Sequence, residues 1–124
     1  MHRILVSDKL GAAALERLKE HADMSVDVKT GLSKEELLAV IPDYDALIVR
    51  SGTQVTADVL AAGKKLRVVG RAGVGIDNID VKAATMSGVV VMNTPGANSM
   101  ATAELTMALM LAVSRNIPQA HASL

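Results

Sequence analysis

Residues 66–77 read Leu-Arg-Val-Val-Gly-Arg-Ala-Gly-Val-Gly-Ile-Asp, an apolar run followed by a glycine-rich loop. The run is typical of a buried strand, and the loop leads into a helical segment that Asp80 can cap. A strand joined to a helix by a short loop is the repeating unit of an α/β fold. The stretch therefore predicts a parallel sheet with a glycine loop at the carboxyl end of one strand.

The same strand–helix unit recurs on both sides of this stretch. Short apolar runs alternate with helical segments that carry capping and stop signals. The predicted caps are a Ser33–Glu36 capping box, Thr56 and Asp80. This alternation predicts a flavodoxin-like, doubly wound sheet of five parallel strands in the order 2-1-3-4-5, with helices on both faces. The predicted strands are Ile4–Val6, Met24–Val28, Ala46–Val49, Arg67–Val69 and Val89–Met92, and the predicted helices are about 11–21, 34–41, 57–63, 81–86 and 99–115.

The last predicted helix is long and apolar. Between Leu105 and Val113, Thr106 is the only polar residue, and Pro118 is expected to mark the end of the helix. A helix that is apolar all round must be covered on more than one side. Three arrangements remain open: a dimer interface, a contact with a second domain outside this chain, or a central core helix.

Composition excludes several classes of function. The 124 residues carry 13 basic and 13 acidic side chains, so no broad attraction to nucleic acid or to a membrane is expected. The absence of cysteine excludes disulfides and thiolate catalysis and favours the cytoplasm. No apolar run reaches the roughly 20 residues that span a bilayer. Because Tyr44 is the single aromatic residue, we expect a core of Val, Leu, Ile, Met and Ala.

The glycine loop does not match a dinucleotide-binding fingerprint. That fingerprint requires G-x-G-x-x-G after the first strand and an acidic residue about 20 positions later. Here Asn78 stands where the third glycine belongs, the loop follows the fourth strand, and residues 93–95 are Asn-Thr-Pro. The loop instead predicts a nest of backbone N–H groups that suits a carboxylate or phosphate. A tight turn without a ligand is the alternative.

Polar residues follow three neighbouring strands at the points where the strands end. Arg50 and Ser51 follow the third strand together with Gly52. Arg71 follows the fourth strand, and residues 93–95 follow the fifth. Because the carboxyl ends of parallel strands share one edge, these groups are expected to face one crevice. Two arginines favour a small anion with two acidic groups, although solvated surface arginines are the alternative.

No complete catalytic set is present. His2, His21 and His121 are expected to be solvent-exposed, and their spacing does not suggest a metal site. Glu104 lies early in the last helix, where it is expected to complement the helix dipole rather than act as a base.

A phosphorelay receiver domain is a rival interpretation with the same architecture and length. That chemistry needs an aspartate acceptor after the third strand and a lysine after the fifth. Asp8 is present after the first strand, but Arg50 occupies the acceptor position and residues 93–95 contain no lysine. These differences disfavour the receiver interpretation and leave at most a degenerate binding module of that kind.

The chain resembles the D-isomer-specific 2-hydroxyacid dehydrogenases. The resemblance lies in the order of Val-Arg-Ser at 49–51, the strand and glycine loop at 69–78, Met-Asn-Thr-Pro at 92–95 and Ala-Glu at 103–104, and it extends to the tail at 117–120. It implies an NAD-dependent oxidoreductase with two α/β domains and a cleft between them. It is strongest to members that oxidise 3-phospho-D-glycerate, while glycerate, lactate or formate remain alternative substrates.

The resemblance also implies roles for individual residues. Arg50, Ser51 and Gly52 would grip the substrate. Arg71 would add positive charge near a substrate phosphate.

The glycine loop and the last helix would complete this set. The backbone at Gly73, Val74 and Gly75 would hold the substrate carboxylate, and Val74 would also lie near the nicotinamide. Asn98, the remaining residue assigned to the substrate site, would begin the helix that crosses between domains.

The resemblance finally implies a division of the chain. Residues 1–98 would form the substrate-binding domain, and residues 99–124 would form the interdomain helix and a tail. The nucleotide-binding domain and its catalytic residues would lie outside this chain, so the chain alone is expected to be inactive. We also expect a homo-oligomer that forms through the helix at 99–115.

Overall fold

The computed structural model describes residues 1–124 and contains five strands and six helices. Strands and helices alternate as far as the fifth helix, and a short 3₁₀ turn follows the second helix. The strands are β1 (His2–Val6), β2 (Met24–Val28), β3 (Ala46–Val49), β4 (Val68–Arg71) and β5 (Val90–Met92). The helices are α1 (Ala12–Lys19), α2 (Lys34–Val40), α3 (Ala57–Ala62), α4 (Val81–Met86), α5 (Ser99–Ser114) and α6 (Ile117–Ala122).

The five strands form one parallel sheet in the order β2-β1-β3-β4-β5, which confirms the predicted topology. Every neighbouring pair is parallel, and the central register aligns Leu5 with Leu47 and Leu47 with Val69. The carboxyl ends of the strands therefore lie at one edge of the sheet, as predicted.

The main core lies between the sheet and helices α2, α3 and α4. Strand residues Leu5, Leu47 and Val69 point into it and meet Leu37 of α2 and Val59 of α3. Alternate strand residues face the other side, where Ile48 lines a groove beside α1. Helices thus lie on both sides of the sheet, as a doubly wound fold requires.

Tyr44 corrects the expected core composition. Its ring is fully buried, and its hydroxyl donates a 2.8 Å hydrogen bond to Asp27 Oδ2. The Arg3 guanidinium lies 4.7 Å from the ring centroid, which is cation–π geometry. No methionine belongs to the core cluster, and Met86 and Met110 are exposed. The core therefore contains the single aromatic residue and none of the expected methionines.

Two of the three predicted helix caps form as expected. Ser33 and Glu36 make a complete capping box at α2, and Asp80 accepts a hydrogen bond from Ala83 N at α4. Thr56 is the N-cap residue of α3, but its side chain makes no capping bond. Its Oγ1 is buried without a partner.

Several element bounds differ from the sequence predictions, most clearly at β4 and after α5. β4 extends through Gly70 to Arg71, because Arg71 pairs with Val49 of β3. Pro118 does not mark the end of the last helix; α5 ends at Ser114, and Pro118 instead lies in the first turn of α6. The left-handed backbone of Asn116 separates the two helices.

The expected long apolar helix is not supported in the predicted form. α5 includes polar residues such as Thr102, Glu104 and Thr106, buries no residue and packs mainly against α6. It therefore does not serve as a core helix. No helix of the structure combines the length and apolar composition needed to cross a membrane.

Candidate functional site

Hydrogen bonds link the loops at the carboxyl edge of the sheet. The loops that follow β1, β3, β4 and β5 comprise residues 7–11, 50–56, 72–80 and 93–98. Open α/β sheets bind ligands at this edge. The side chains that join these loops therefore determine what the edge can bind.

Asp8 organises the loop that follows β3. Its Oδ2 accepts hydrogen bonds from the backbone N–H of Arg50 (2.6 Å) and of Thr53 (3.0 Å), and its Oδ1 accepts one from the Thr53 hydroxyl (2.8 Å). Burial raises the pKa of the Asp8 carboxyl, but the hydrogen bonds from Thr53 and Arg50 offset this, so the pKa lies below its ordinary value. Asp8 is therefore ionised at neutral pH and holds this loop with a fixed negative charge.

Gly52 allows Asp8 to approach the loop closely. A Cβ at this position would lie 2.8 Å from Asp8 Oδ1, which is too close for a stable contact. The backbone N–H of Ser51 makes no hydrogen bond within the chain. Asp8 thus occupies three donors of this loop, two N–H groups and the Thr53 hydroxyl, and leaves the N–H of Ser51 open to a ligand.

Asn78 joins the β3 loop to the β4 loop. It is 5% exposed, and its Nδ2 donates to the carbonyls of Arg50 (2.6 Å) and Thr53 (2.7 Å). Its Oδ1 accepts a hydrogen bond from Arg71 Nε (2.7 Å). One buried amide therefore connects the segments that carry both candidate arginines.

Arg71 lies at the end of β4 with its guanidinium held in place. Besides the Asn78 bond, its Nη2 lies 3.7 Å from Asp77 Oδ1, and only 12% of the side chain is exposed. Asp77 is mostly exposed, so this ion pair contributes little to stability. The result is a nearly buried cation directly beneath the glycine loop.

The glycines of the loop accommodate this guanidinium. A Cβ on Gly73 would lie 2.5 Å from Arg71 Nη1, and one on Gly75 would lie 2.9 Å from Asp77 Oδ1. The N–H of Gly73 bonds to the Arg71 carbonyl, whereas the N–H groups of Val74 and Gly75 make no hydrogen bond within the chain. Two free donors therefore lie near a positive charge, an arrangement that suits an anion.

Arg50 differs from Arg71 because its side chain is exposed. Its Nη1 donates a 3.3 Å hydrogen bond to the carbonyl of Lys9. This single long bond to a neutral acceptor leaves the other guanidinium donors free. Arg50 is therefore the arginine that can move to meet a ligand.

The loop that follows β5 closes the edge on its far side. Asn93 Nδ2 donates to the Val74 carbonyl (2.7 Å), and the N–H of Thr94 donates to the Gly73 carbonyl (3.0 Å). These two bonds fix the glycine loop from the side opposite Asn78. A separate open groove of about 640 Å³ is lined by Val74, by Asn98 at the start of α5, and by residues between Ser99 and Met107 of α5.

The structure places the eight predicted site residues along the carboxyl edge. Seven lie in, or directly next to, the two loops that Asn78 joins. Asn98 lies apart from the arginines and shares its groove with Val74.

Sequence reasoning missed the connections that Asp8, Thr53 and Asn78 make at this edge. Asn78 was noted only as the residue that breaks the glycine fingerprint. An amide side chain beside a buried isoleucine was the available signal, because a buried amide must find hydrogen-bond partners. No group of His, Cys, Asp and Glu side chains could hold a metal ion. The edge can therefore bind an anion through N–H groups and guanidinium groups.

Comparison with known proteins places the site in a family context. A family model described as the D-isomer specific 2-hydroxyacid dehydrogenase catalytic domain matches residues 4–122. The D-3-phosphoglycerate dehydrogenase of Methanocaldococcus jannaschii is 59% identical over 124 residues, and the human enzyme of that name is 49% identical. Both alignments cover the whole of this chain but 23% of the relative. The chain thus spans about a quarter of the length of these relatives.

Solved structures agree with this comparison. The TT0316 protein of Thermus thermophilus superposes with a TM-score of 0.85 at 38% identity, covering 97% of this chain and 39% of that one. An NAD⁺-bound 3-phosphoglycerate dehydrogenase of Entamoeba histolytica superposes with a TM-score of 0.78 at 33% identity, covering 90% of this chain and 38% of that one.

Proposed function

Because the chain belongs to the D-isomer specific 2-hydroxyacid dehydrogenase family, we propose that residues 1–98 are the substrate-binding domain of an NAD-dependent phosphoglycerate dehydrogenase. The reaction would be the oxidation of 3-phospho-D-glycerate to 3-phosphooxypyruvate, a step of serine biosynthesis that takes place in the cytoplasm. The names of the relatives support this assignment. The observation that carries it is the pair of arginine loops joined at one sheet edge.

The two arginines suit different parts of a doubly charged substrate. Arg71 is fixed beside the free N–H groups of Val74 and Gly75, so this pocket would receive the compact carboxylate rather than the phosphate that the resemblance implied for Arg71. Arg50 is exposed and held by a single 3.3 Å hydrogen bond, so it would grip the substrate from the opposite side with help from the Ser51 N–H. Charge-assisted hydrogen bonds of this kind are the strong ones in anion recognition.

The cofactor would contact this chain only at its margin. NAD would accept the hydride that leaves the substrate C2. The glycine loop is not a pyrophosphate cradle, because Asn78 fills the third glycine position with a buried, fully bonded amide. Val74 is 42% exposed beside the α5 groove, so its side chain offers an apolar contact for the nicotinamide ring.

A ligand titration tests the substrate assignment. The ¹⁵N-labelled chain is titrated with 3-phosphoglycerate and, separately, with D-lactate, and the N–H signals of Arg50, Arg71 and Gly73 are followed. We expect 3-phosphoglycerate to shift these signals at lower concentration than D-lactate. Equal responses to both ligands, or no response to either, would contradict the proposed substrate.

An arginine substitution sharpens this test. Arg50→Gln removes a guanidinium that is free to bind and should weaken 3-phosphoglycerate binding about tenfold or more. Arg115→Gln makes the same change at an exposed position beyond α5 and serves as the matched control. An unchanged affinity in Arg50→Gln would remove Arg50 from the site.

We further propose that the chain alone does not reduce NAD with 3-phosphoglycerate, because its site residues bind an anion and include no catalytic base. Absorbance at 340 nm reports NADH, and turnover in a pure preparation would contradict the proposal.

A related proposal is that residues 99–115 mediate self-association. Leu105, Leu109 and Val113 of α5 are more than half exposed, and apolar surface of this kind favours association.

A further inference from the structure

We propose that Asn78 is a positioning residue that fixes the Arg50 loop and the Arg71 guanidinium relative to each other, so that both arginines meet one ligand. The proposal rests on the proposed function, since it concerns how that same anion site is assembled. Asn78 itself would not touch the substrate, because it is 5% exposed and both polar atoms of its side chain are hydrogen-bonded within the chain.

The bonding of Asn78 matches the capacity of its amide group. The NH₂ group has two hydrogens, and it donates to two carbonyls, those of Arg50 and Thr53. The amide oxygen accepts from Arg71 Nε. An aspartate would place a carboxylate oxygen against two carbonyl oxygens at 2.6–2.7 Å, and a serine is too short to reach all three partners.

The Arg71 bond determines where the guanidinium charge lies. A planar guanidinium anchored through Nε has the direction of its two Nη atoms fixed. Here Nη1 lies against Gly73 and Nη2 faces Asp77. Without Asn78, the guanidinium could rotate away from the free N–H groups of Val74 and Gly75.

The two carbonyl bonds act on the other loop. Arg50 O and Thr53 O lie at either end of the turn that presents Ser51 and Gly52. Asp8 holds the same turn through the N–H groups of Arg50 and Thr53. Asp8 therefore anchors the turn to β1, whereas Asn78 anchors it to the glycine loop. Backbone pairing of Val49 with Arg71 and of Val55 with Ile79 aligns the two segments, and the Asn78 side chain adds the bonds that fix the Arg50 turn and the Arg71 guanidinium relative to each other.

The test replaces Asn78 with serine, which removes the amide and adds no charge. We expect Asn78→Ser to keep a dispersed ¹⁵N–¹H spectrum, to increase solvent exchange of the Arg71 Nε–H, and to weaken 3-phosphoglycerate binding about tenfold. Asn116→Ser is the matched control at an exposed site, and it should change neither the exchange nor the affinity. Unchanged affinity in a folded Asn78→Ser variant would overturn the proposal.

A double-mutant cycle separates positioning from a general structural role. Arg71→Lys removes the Nε donor that Asn78 orients. If Asn78 acts through Arg71, the loss of affinity in the double variant should be clearly smaller than the sum of the two single losses. Additive losses would mean that Asn78 does not act through Arg71, and this part of the proposal would fail.

A measurement on the unmodified chain covers the case in which Asn78→Ser does not fold. The Arg71 Nε–H of the unmodified chain should exchange slowly with solvent in the absence of any ligand. Rapid exchange would overturn the coupling. This readout also separates two failures, because a chain with a protected Nε–H that ignores 3-phosphoglycerate would refute the proposed substrate and leave the Asn78 linkage standing.

Discussion

At the scale of single residues, a carboxylate of the protein already occupies part of the anion-binding backbone. Asp8 accepts three hydrogen bonds from the loop that carries Arg50. Its charge favours this turn while leaving the Arg50 side chain and the Ser51 N–H open. Asp8 therefore provides a hydrogen-bond acceptor for the donors of Arg50 and Thr53 even when no ligand is bound.

Acid should weaken the contribution of Asp8 to stability. Its folded-state pKa is depressed, so its stabilising effect is present above the unfolded value of about 3.9 and is lost as the pH falls through the folded pKa. Asp8→Asn should lower the free energy of unfolding at pH 7 by about 1–3 kcal/mol, because a neutral amide is a poorer acceptor than a carboxylate for the N–H groups of Arg50 and Thr53. Urea denaturation at pH 7 and pH 3 measures both effects, and an equal loss at the two pH values would contradict this account.

Gly73 is predicted to be intolerant of even one methyl group. Gly73→Ala would place a Cβ 2.5 Å from Arg71 Nη1, and that guanidinium cannot retreat freely because Asn78 holds it. We expect a loss of about 1–3 kcal/mol in unfolding free energy, together with weaker 3-phosphoglycerate binding. Gly70→Ala is the control, since its Cβ would meet Ile48 at an ordinary 4.0 Å. Similar effects of the two variants would show that Arg71 is not fixed.

At the scale of elements, two residues predicted to cap helices behave differently, since Ser33 makes a capping bond and Thr56 does not. Ser33→Ala removes a complete capping box and should cost about 1 kcal/mol of unfolding free energy. Thr56→Ala removes a hydroxyl that makes no capping bond and is buried without a partner, so it should be neutral or slightly stabilising. Urea denaturation of both variants measures the contrast, and equal losses would mean that Thr56 caps α3 in solution.

The elements that were predicted correctly carry their signals locally. Strand runs and the caps at Ser33 and Asp80 depend on neighbours within a few residues, and the strand order follows from alternation and crossover handedness. The predicted carboxyl end of β4 was two residues too early, because Arg71 belongs to the strand through its pairing with Val49 of β3. α6 was missed because Pro118 fits a first helical turn as well as a stop.

The location of the candidate site was predictable from the sequence, but the hydrogen bonds that assemble it were not. The residue types at the strand ends indicated an anion site, because the topology brings those ends together. The roles of Asp8 and Asn78 could not be predicted, since each depends on partners 25 or more residues away in the sequence. Arg71 was expected to bind a ligand, but the position of its guanidinium depends on its hydrogen bond to Asn78.

At the scale of the whole molecule, the last 26 residues contribute little to the core. Residues 99–124 form α5 and α6, and neither helix contains a buried residue. The part of the sheet that faces away from the main core retains exposed apolar side chains at Val90 and Met92. The folded domain and the projecting helices therefore respond to different substitutions.

Self-association should depend on α5 and not on exposed apolar residues in general. Leu109 is 55% exposed at the centre of α5, and Leu109→Glu would place a charge there that a second copy could not cover without a partner. We expect sedimentation equilibrium at micromolar concentration to give a dimer for the unmodified chain and a monomer for Leu109→Glu. Met86→Glu makes a comparable change at an 80% exposed residue of α4 and should leave the dimer intact. A monomeric unmodified chain would contradict self-association, and a dimer that survives Leu109→Glu and dissociates with Met86→Glu would place the association surface outside α5.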